Sequence, residues 1–153
     1  MLETPHAVVG AAIATKIPNP FIAIPLAFAS HFILDKVPHW NPHIITETKQ
    51  YGHPTKKSTT IIVVDSVLAL ILGSSIAWNA LPNTGHAIVI MFGAFAAILP
   101  DLVEFPYFYF KKRSEFYIKW SSFQKSIQVD TTPFWGLLTQ VITTVAAFWW
   151  IYR

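Results

Sequence analysis

Residues 58–80, STTIIVVDSVLALILGSSIAWNA, decide the fold. Lys56 and Lys57 stand before the run, Leu81-Pro82-Asn83 stand after it, and Asp65 is its one charge. An apolar helix of about 20 residues is what the hydrocarbon core of a bilayer requires. The run therefore predicts a membrane span, and the chain is expected to be an all-α integral membrane protein. Asp65 is out of place in such a span. A carboxylate there costs about 2.5–3.5 kcal/mol on insertion scales and marks function by default. At about 1.5 Å of rise per residue it lies on the order of 10 Å inside the helix start.

Composition agrees with that reading. Of the 153 residues, 53% are hydrophobic and only 12% are charged, whereas a soluble domain carries about 25% charged residues. There is too little charge to cover a water-soluble globule. The absence of cysteine excludes a disulfide framework and a thiolate metal site. The net charge of +3 comes from basic residues flanking apolar runs, which is a topology signal and not a nucleic-acid patch. No nucleic-acid partner is expected. Nor is a cleavable signal peptide, because Met1 to Pro5 contains no basic residue.

Outward from residues 58–80, about five apolar helices are predicted, near 6–17, 21–37, 58–80, 86–105 and 131–152, in a single membrane domain spanning 1–153. The first two are shorter than a comfortable span and are joined by Pro18-Asn19-Pro20, so they read as a hairpin or re-entrant pair. Thr4 is expected to cap the first helix, with Pro5 in its first turn, and Thr84 to cap the fourth. Polar loops are expected at 41–57 and 106–130. The second loop holds FKKRSEFYIKW (residues 110–120), an amphipathic helix for the membrane surface. Lys36, Lys49, Lys56, Lys57, Lys111, Lys112, Arg113, Lys119 and Lys125 are nine of the eleven Lys and Arg, and all fall on one side. That side and the N-terminus should be cytoplasmic, in a plasma membrane such as the inner membrane of a prokaryote.

The chemistry concentrates at residues 30–40, SHFILDKVPHW. On a helix His31 and Asp35 are i and i+4 and share one face. Pro38 ends the helix, leaving His39 on the turn where it can fold back. Imidazole and carboxylate at this spacing suit a divalent metal, with zinc or manganese the first choices. Polar capping of a helix end is the competing account. His6, Asp65, Asp101 and Glu104 fall in the same inner layer, so four separately crossing segments place ionisable groups at one depth. A divalent cation would offset the burial of Asp65 and Asp101 together. The alternative is that they pair with Lys36 or the loop lysines, or cap helices.

His31-x3-Asp35-x2-Pro38-His39 resembles the metal motif of the zinc-dependent phospholipase C and P1 nuclease group. The His6 helix, the apolar hairpin and Leu99-Pro100-Asp101 resemble the small membrane-bound metal-dependent hydrolases, over most of the chain. Those hydrolases typically show Leu-Pro-Asp-x-Asp-His, whereas Val103 and Glu104 stand at the last two positions here. The resemblance therefore implies a reduced site of one or two metals.

Such a site implies metal-assisted hydrolysis. Ligand roles go to His6, His31, Asp35, His39 and Asp101. Asp65 would either bridge two metals or orient a histidine, and Glu104 is the candidate base or a further ligand. Lys111, Lys112 and Arg113 could hold an anionic headgroup. Depth at the inner headgroup layer suits membrane lipid, and a phospholipid or another amphiphilic phosphoester as substrate. His43 and His53 in the loop, and His86 at the far face, receive no role. Two other functions compete: a cation or proton transporter or channel, and a non-catalytic subunit of a membrane assembly stapled by metal.

Overall fold

The computed structural model describes residues 1–153 and is all-helical, with eight helices and no strand. In chain order these are α1 (Glu3–Lys16), α2 (Pro20–Leu34), α3 (Ile44–Tyr51), α4 (Lys56–Trp78), α5 (Thr84–Leu102), α6 (Phe105–Tyr109), α7 (Glu115–Ile127) and α8 (Pro133–Tyr152). Three of them, α4, α5 and α8, are long and apolar enough to cross a membrane. With 14 and 15 residues, α1 and α2 fall short of that length.

The shorter α1 is the axis of the bundle, packed against α2, α4, α5 and α8. Its buried side is built from small residues, among them Ala7, Gly10, Ala11, Ala12 and Ala14. Its tightest neighbour is α5. A Cβ on Gly10 would lie 2.4 Å from the Gly93 carbonyl oxygen and 2.6 Å from Ala97 Cβ, and one on Gly93 would lie 2.6 Å from Ala14 Cβ. Small residues let the two backbones approach closely, the packing by which apolar helices associate in membranes. The large apolar side chains lie on the outside: Val63, Val67 and Leu70 of α4, Phe92 and Phe95 of α5, and Val141 and Val145 of α8 are all exposed.

Several boundaries differ from the sequence reading, each for a local reason. The first helix starts at Glu3, not near residue 6, and Thr4 lies inside it. Its leading N–H groups, those of Glu3 and Thr4, donate to the Asp65 carboxylate of α4. The cap thus comes from another helix, and a carboxylate there also complements the helix dipole. The cap of α5 is Asn83, not Thr84; its side-chain oxygen accepts the His86 N–H at 3.1 Å. Ahead of Pro38, α2 ends at Leu34, since a residue preceding proline is driven out of the helical region.

The 41–57 loop contains a helix of its own, α3, closed by Gly52 in the left-handed region at φ 79°. Glu47 ties it to α4: its carboxylate accepts from the Thr55 N–H at 2.7 Å and the Ser58 hydroxyl at 2.6 Å. The chain after α7 is laced to the end of α2. The Val129 N–H donates to the Asp35 carbonyl at 3.1 Å, the His39 N–H to the Val129 carbonyl at 3.0 Å, and the Thr131 N–H to the His39 carbonyl at 3.0 Å. Those bonds hold α7 across the end of the bundle where α1 begins and α2 and α5 finish.

Candidate metal centre

At that end the chain gathers His6 from α1, His31 from α2, Asp35 and His39 just beyond α2, and Asp101 from the last turn of α5. Asp35 is the hub. Its oxygens lie 3.3 Å from His6 Nε2, 3.4 Å from His31 Nε2 and 3.9 Å from His39 Nε2. The amino group of Met1 also contacts Asp35. His6, His31, Asp35 and His39 are fully buried, while the Asp101 side chain keeps 19% of its surface exposed. The rings of His6 and His31 stack with centroids 4.0 Å apart. One ligand atom from each of His6, His31 and Asp101 falls within 4.8 Å of the others.

The hydrogen bonds decide which ring nitrogens are turned to the cluster. His31 Nδ1 lies 2.8 Å from the Ala97 carbonyl, and His39 Nδ1 lies 2.8 Å from the Val37 carbonyl. A carbonyl only accepts, so both Nδ1 atoms carry a proton and Nε2 is the atom of each ring left to ligate. A carbonyl partner on the far nitrogen is the usual way a metal-ligating histidine is oriented. Both nitrogens of His6, and Nε2 of His39, are buried and lack a hydrogen-bond partner. Buried polar atoms are rarely left so, because each forfeits its solvation. A borderline divalent ion is the partner that two imidazoles and a carboxylate fit.

Other site residues predicted from sequence lie nearby in different roles. Asp65 is buried, and its carboxylate is engaged by the first N–H groups of α1. Its contact is with main chain, and it holds the helix that carries His6. Glu104 is buried in the turn after α5, and its Oε1 has no partner. Burial pushes Glu104 up to about 8, with the Asp101 charge adding to the rise and a bond to Ser121 opposing it. A value near neutrality suits a group that gives and takes protons. Lys111, Lys112 and Arg113 are exposed in the segment before α7. The Arg113 guanidinium lies 4.0 Å over the Tyr107 ring and donates to the Tyr107 carbonyl. At the opposite end His86 Nε2 lies 3.1 Å from the Ala14 carbonyl.

The structure adds two residues that the sequence reading passed over. Glu3 has a buried, unpartnered Oε2, and its main-chain N–H donates to Asp65. Its spacing of i, i+3 from His6 was the available signal. Gln124 of α7 is buried against the cluster, its Nε2 at 3.0 Å from Asp101 Oδ1 and 3.3 Å from His31 Nε2. No charge or motif distinguished it. Gln140 of α8 ties the segments together, accepting the Leu2 N–H at 2.8 Å and donating to the Trp40 carbonyl at 2.9 Å.

Comparison of the chain with family models, with curated proteins and with solved structures finds no match.

Proposed function

We propose that this chain is a membrane-embedded, metal-dependent hydrolase acting on a phosphoester or phospholipid at the cytoplasmic face. One observation carries the reading: ligand atoms of His6, His31 and Asp101, from three separate helices, converge within 4.8 Å at one end of an apolar bundle. Asp35 stands among them as a further ligand, and His39 is poised with its Nε2 unpaired. A zinc or manganese ion in this set would acidify a bound water and neutralise charge developing on a phosphoryl oxygen. Glu104, buried beside Asp101, is the proton-handling group in this reading. The exposed Lys111, Lys112 and Arg113 supply positive charge at the same end, where an anionic headgroup would arrive. The basic loops support a cytoplasmic position for that end.

A cation or proton carrier is the second reading, favoured by the unpaired buried carboxylate oxygens of Glu3 and Glu104. The deciding experiment is metal content of the detergent-purified protein beside His6→Ala and Asp101→Ala, followed by a phosphoester and phospholipid screen. Bound zinc or manganese that disappears in both variants, together with metal-dependent release of phosphate or headgroup, supports the hydrolase. A wild-type protein that takes up no divalent ion sinks it. Metal-independent proton or cation flux in liposomes would establish the carrier instead.

A further inference from the structure

Helix α7 is amphipathic in an unusual sense. The residues it turns inward are polar, with Ser121 and Gln124 buried, while Phe116, Ile118 and Phe123 are exposed. Gln124 retains 1% of its surface. Its side-chain nitrogen donates to Asp101 Oδ1 and lies against His31 Nε2, while its side-chain oxygen is buried with no partner.

We propose that Gln124 is the group through which a divalent cation at the His6–His31–Asp101 cluster fastens α7 over the site, its amide oxygen becoming a ligand to that cation. The inference rests on the metal reading above. Asp101 Oδ1 can only accept, so the NH2 end of the amide meets it and the oxygen is left buried and unpaired, which is costly. His31 Nδ1 donates to the Ala97 carbonyl, so Nε2 is the atom of that ring left to ligate. A cation held by Asp101 Oδ1 and His31 Nε2 would sit between the two atoms that the amide nitrogen now faces, at 3.0 and 3.3 Å. The two ends of an amide are nearly the same size, so a half-turn about the last side-chain bond brings the oxygen to the metal without repacking. Two imidazoles, a carboxylate and an amide oxygen make a mixed nitrogen and oxygen set that zinc or manganese accepts.

The consequence concerns more than one ligand. Two further ties bind α7 to the bundle here: the Trp120 Nε1 bond to the Pro100 carbonyl at 3.0 Å, and the packing of Trp120 and Phe123 on the Phe32 ring. A ligand bond from Gln124 would join α7 to α1, α2 and α5 through one ion. Metal loading would then lock in place an α7 that already lies across the site, with its exposed aromatic face held towards the lipid.

The test uses the full chain in nanodiscs, titrated with Zn2+ or Mn2+, with hydrogen exchange of the α7 amides followed alongside affinity. In the wild type, metal is expected to slow exchange across residues 115–127. Gln124→Met keeps the shape and removes the oxygen. It is expected to bind metal about 10-fold or more weakly and to lose the metal-induced slowing. Gln124→Glu, which restores an oxygen ligand, is expected to recover both. Equal affinity and equal slowing in the wild type and Gln124→Met would overturn the role of Gln124 and leave the metal site standing. No metal uptake by the wild type would overturn both.

Discussion

His31 and Ala97 are joined by a bond from the imidazole Nδ1 of one to the main-chain oxygen of the other, 2.8 Å long and fully buried between α2 and α5. This contact puts a proton on His31 Nδ1 and aims Nε2 at Asp35 and Asp101, 3.4 and 3.5 Å away. The orientation of the histidine is thus set by helix packing and not by the residues next to it in the chain.

Asp35 is where that orientation is used. Asp35→Asn keeps the shape and removes the negative charge that faces three imidazole nitrogens. Metal affinity, measured by competition with a chromogenic chelator, is expected to fall about 10–100-fold. Unchanged affinity would remove Asp35 from the site.

The Asp65 carboxylate caps a helix that it does not belong to. Asp65→Ala leaves the Glu3 and Thr4 N–H groups without their acceptor, and loss of a helix cap costs about 0.5–2 kcal/mol. Asp65→Asn keeps an acceptor oxygen and should cost less. Thermal unfolding in detergent reads the difference. A wild-type melting temperature in Asp65→Ala would show that the cap contributes nothing.

Gly10 and Gly93 set how closely α1 approaches α5. A methyl at Gly10 would meet the Gly93 carbonyl at 2.4 Å, which is main chain and cannot swing aside. Overpacking of this kind costs about 1–3 kcal/mol. Gly10→Ala and Gly93→Ala are therefore expected to lower the melting temperature. Gly85→Ala, whose added carbon has only Asn83 Oδ1 within reach, at 3.7 Å, serves as the control. Equal melting temperatures for all three would contradict the close crossing.

Glu47 gives the α3–α4 junction a pH dependence. Burial pushes its carboxyl up, but bonds from the Ser58 hydroxyl and the Thr55 N–H and hydroxyl outweigh that and hold it below its ordinary value of 4.5. Because the folded value is depressed, the stabilisation is present above the ordinary value and is lost as pH falls through the lower folded one. Hydrogen exchange in the first turn of α4 should therefore accelerate on acidification, after correction for its intrinsic pH dependence. Glu47→Gln should show the faster exchange at neutral pH and little further change on acidification. A wild type with no acceleration would rule the junction out as the titrating element.

The helical class was legible because hydropathy and period are properties of a single segment. Residues 58–80 announce an apolar helix wherever they are placed. The i, i+4 spacing puts His31 and Asp35 on one face of α2 whatever surrounds it. That Asp101 lies at the α5 end nearest them followed from alternating the direction of successive helices.

Which groups meet was settled only by the tertiary structure. A span exposed to lipid is apolar on nearly all sides, so its sequence does not reveal which side faces a neighbour. The register that brings His6 of α1 near Asp101 of α5 goes with Gly10 sitting on Gly93. The sequence left Asp65 between a metal role and a helix cap because its partners, two backbone N–H groups of α1, carry no sequence signature. Gln124 was silent for the same reason. A polar residue on an amphipathic helix looks alike whether it meets solvent or a buried histidine, and only the packing of α7 across the end of α2 and α5 turns it inward.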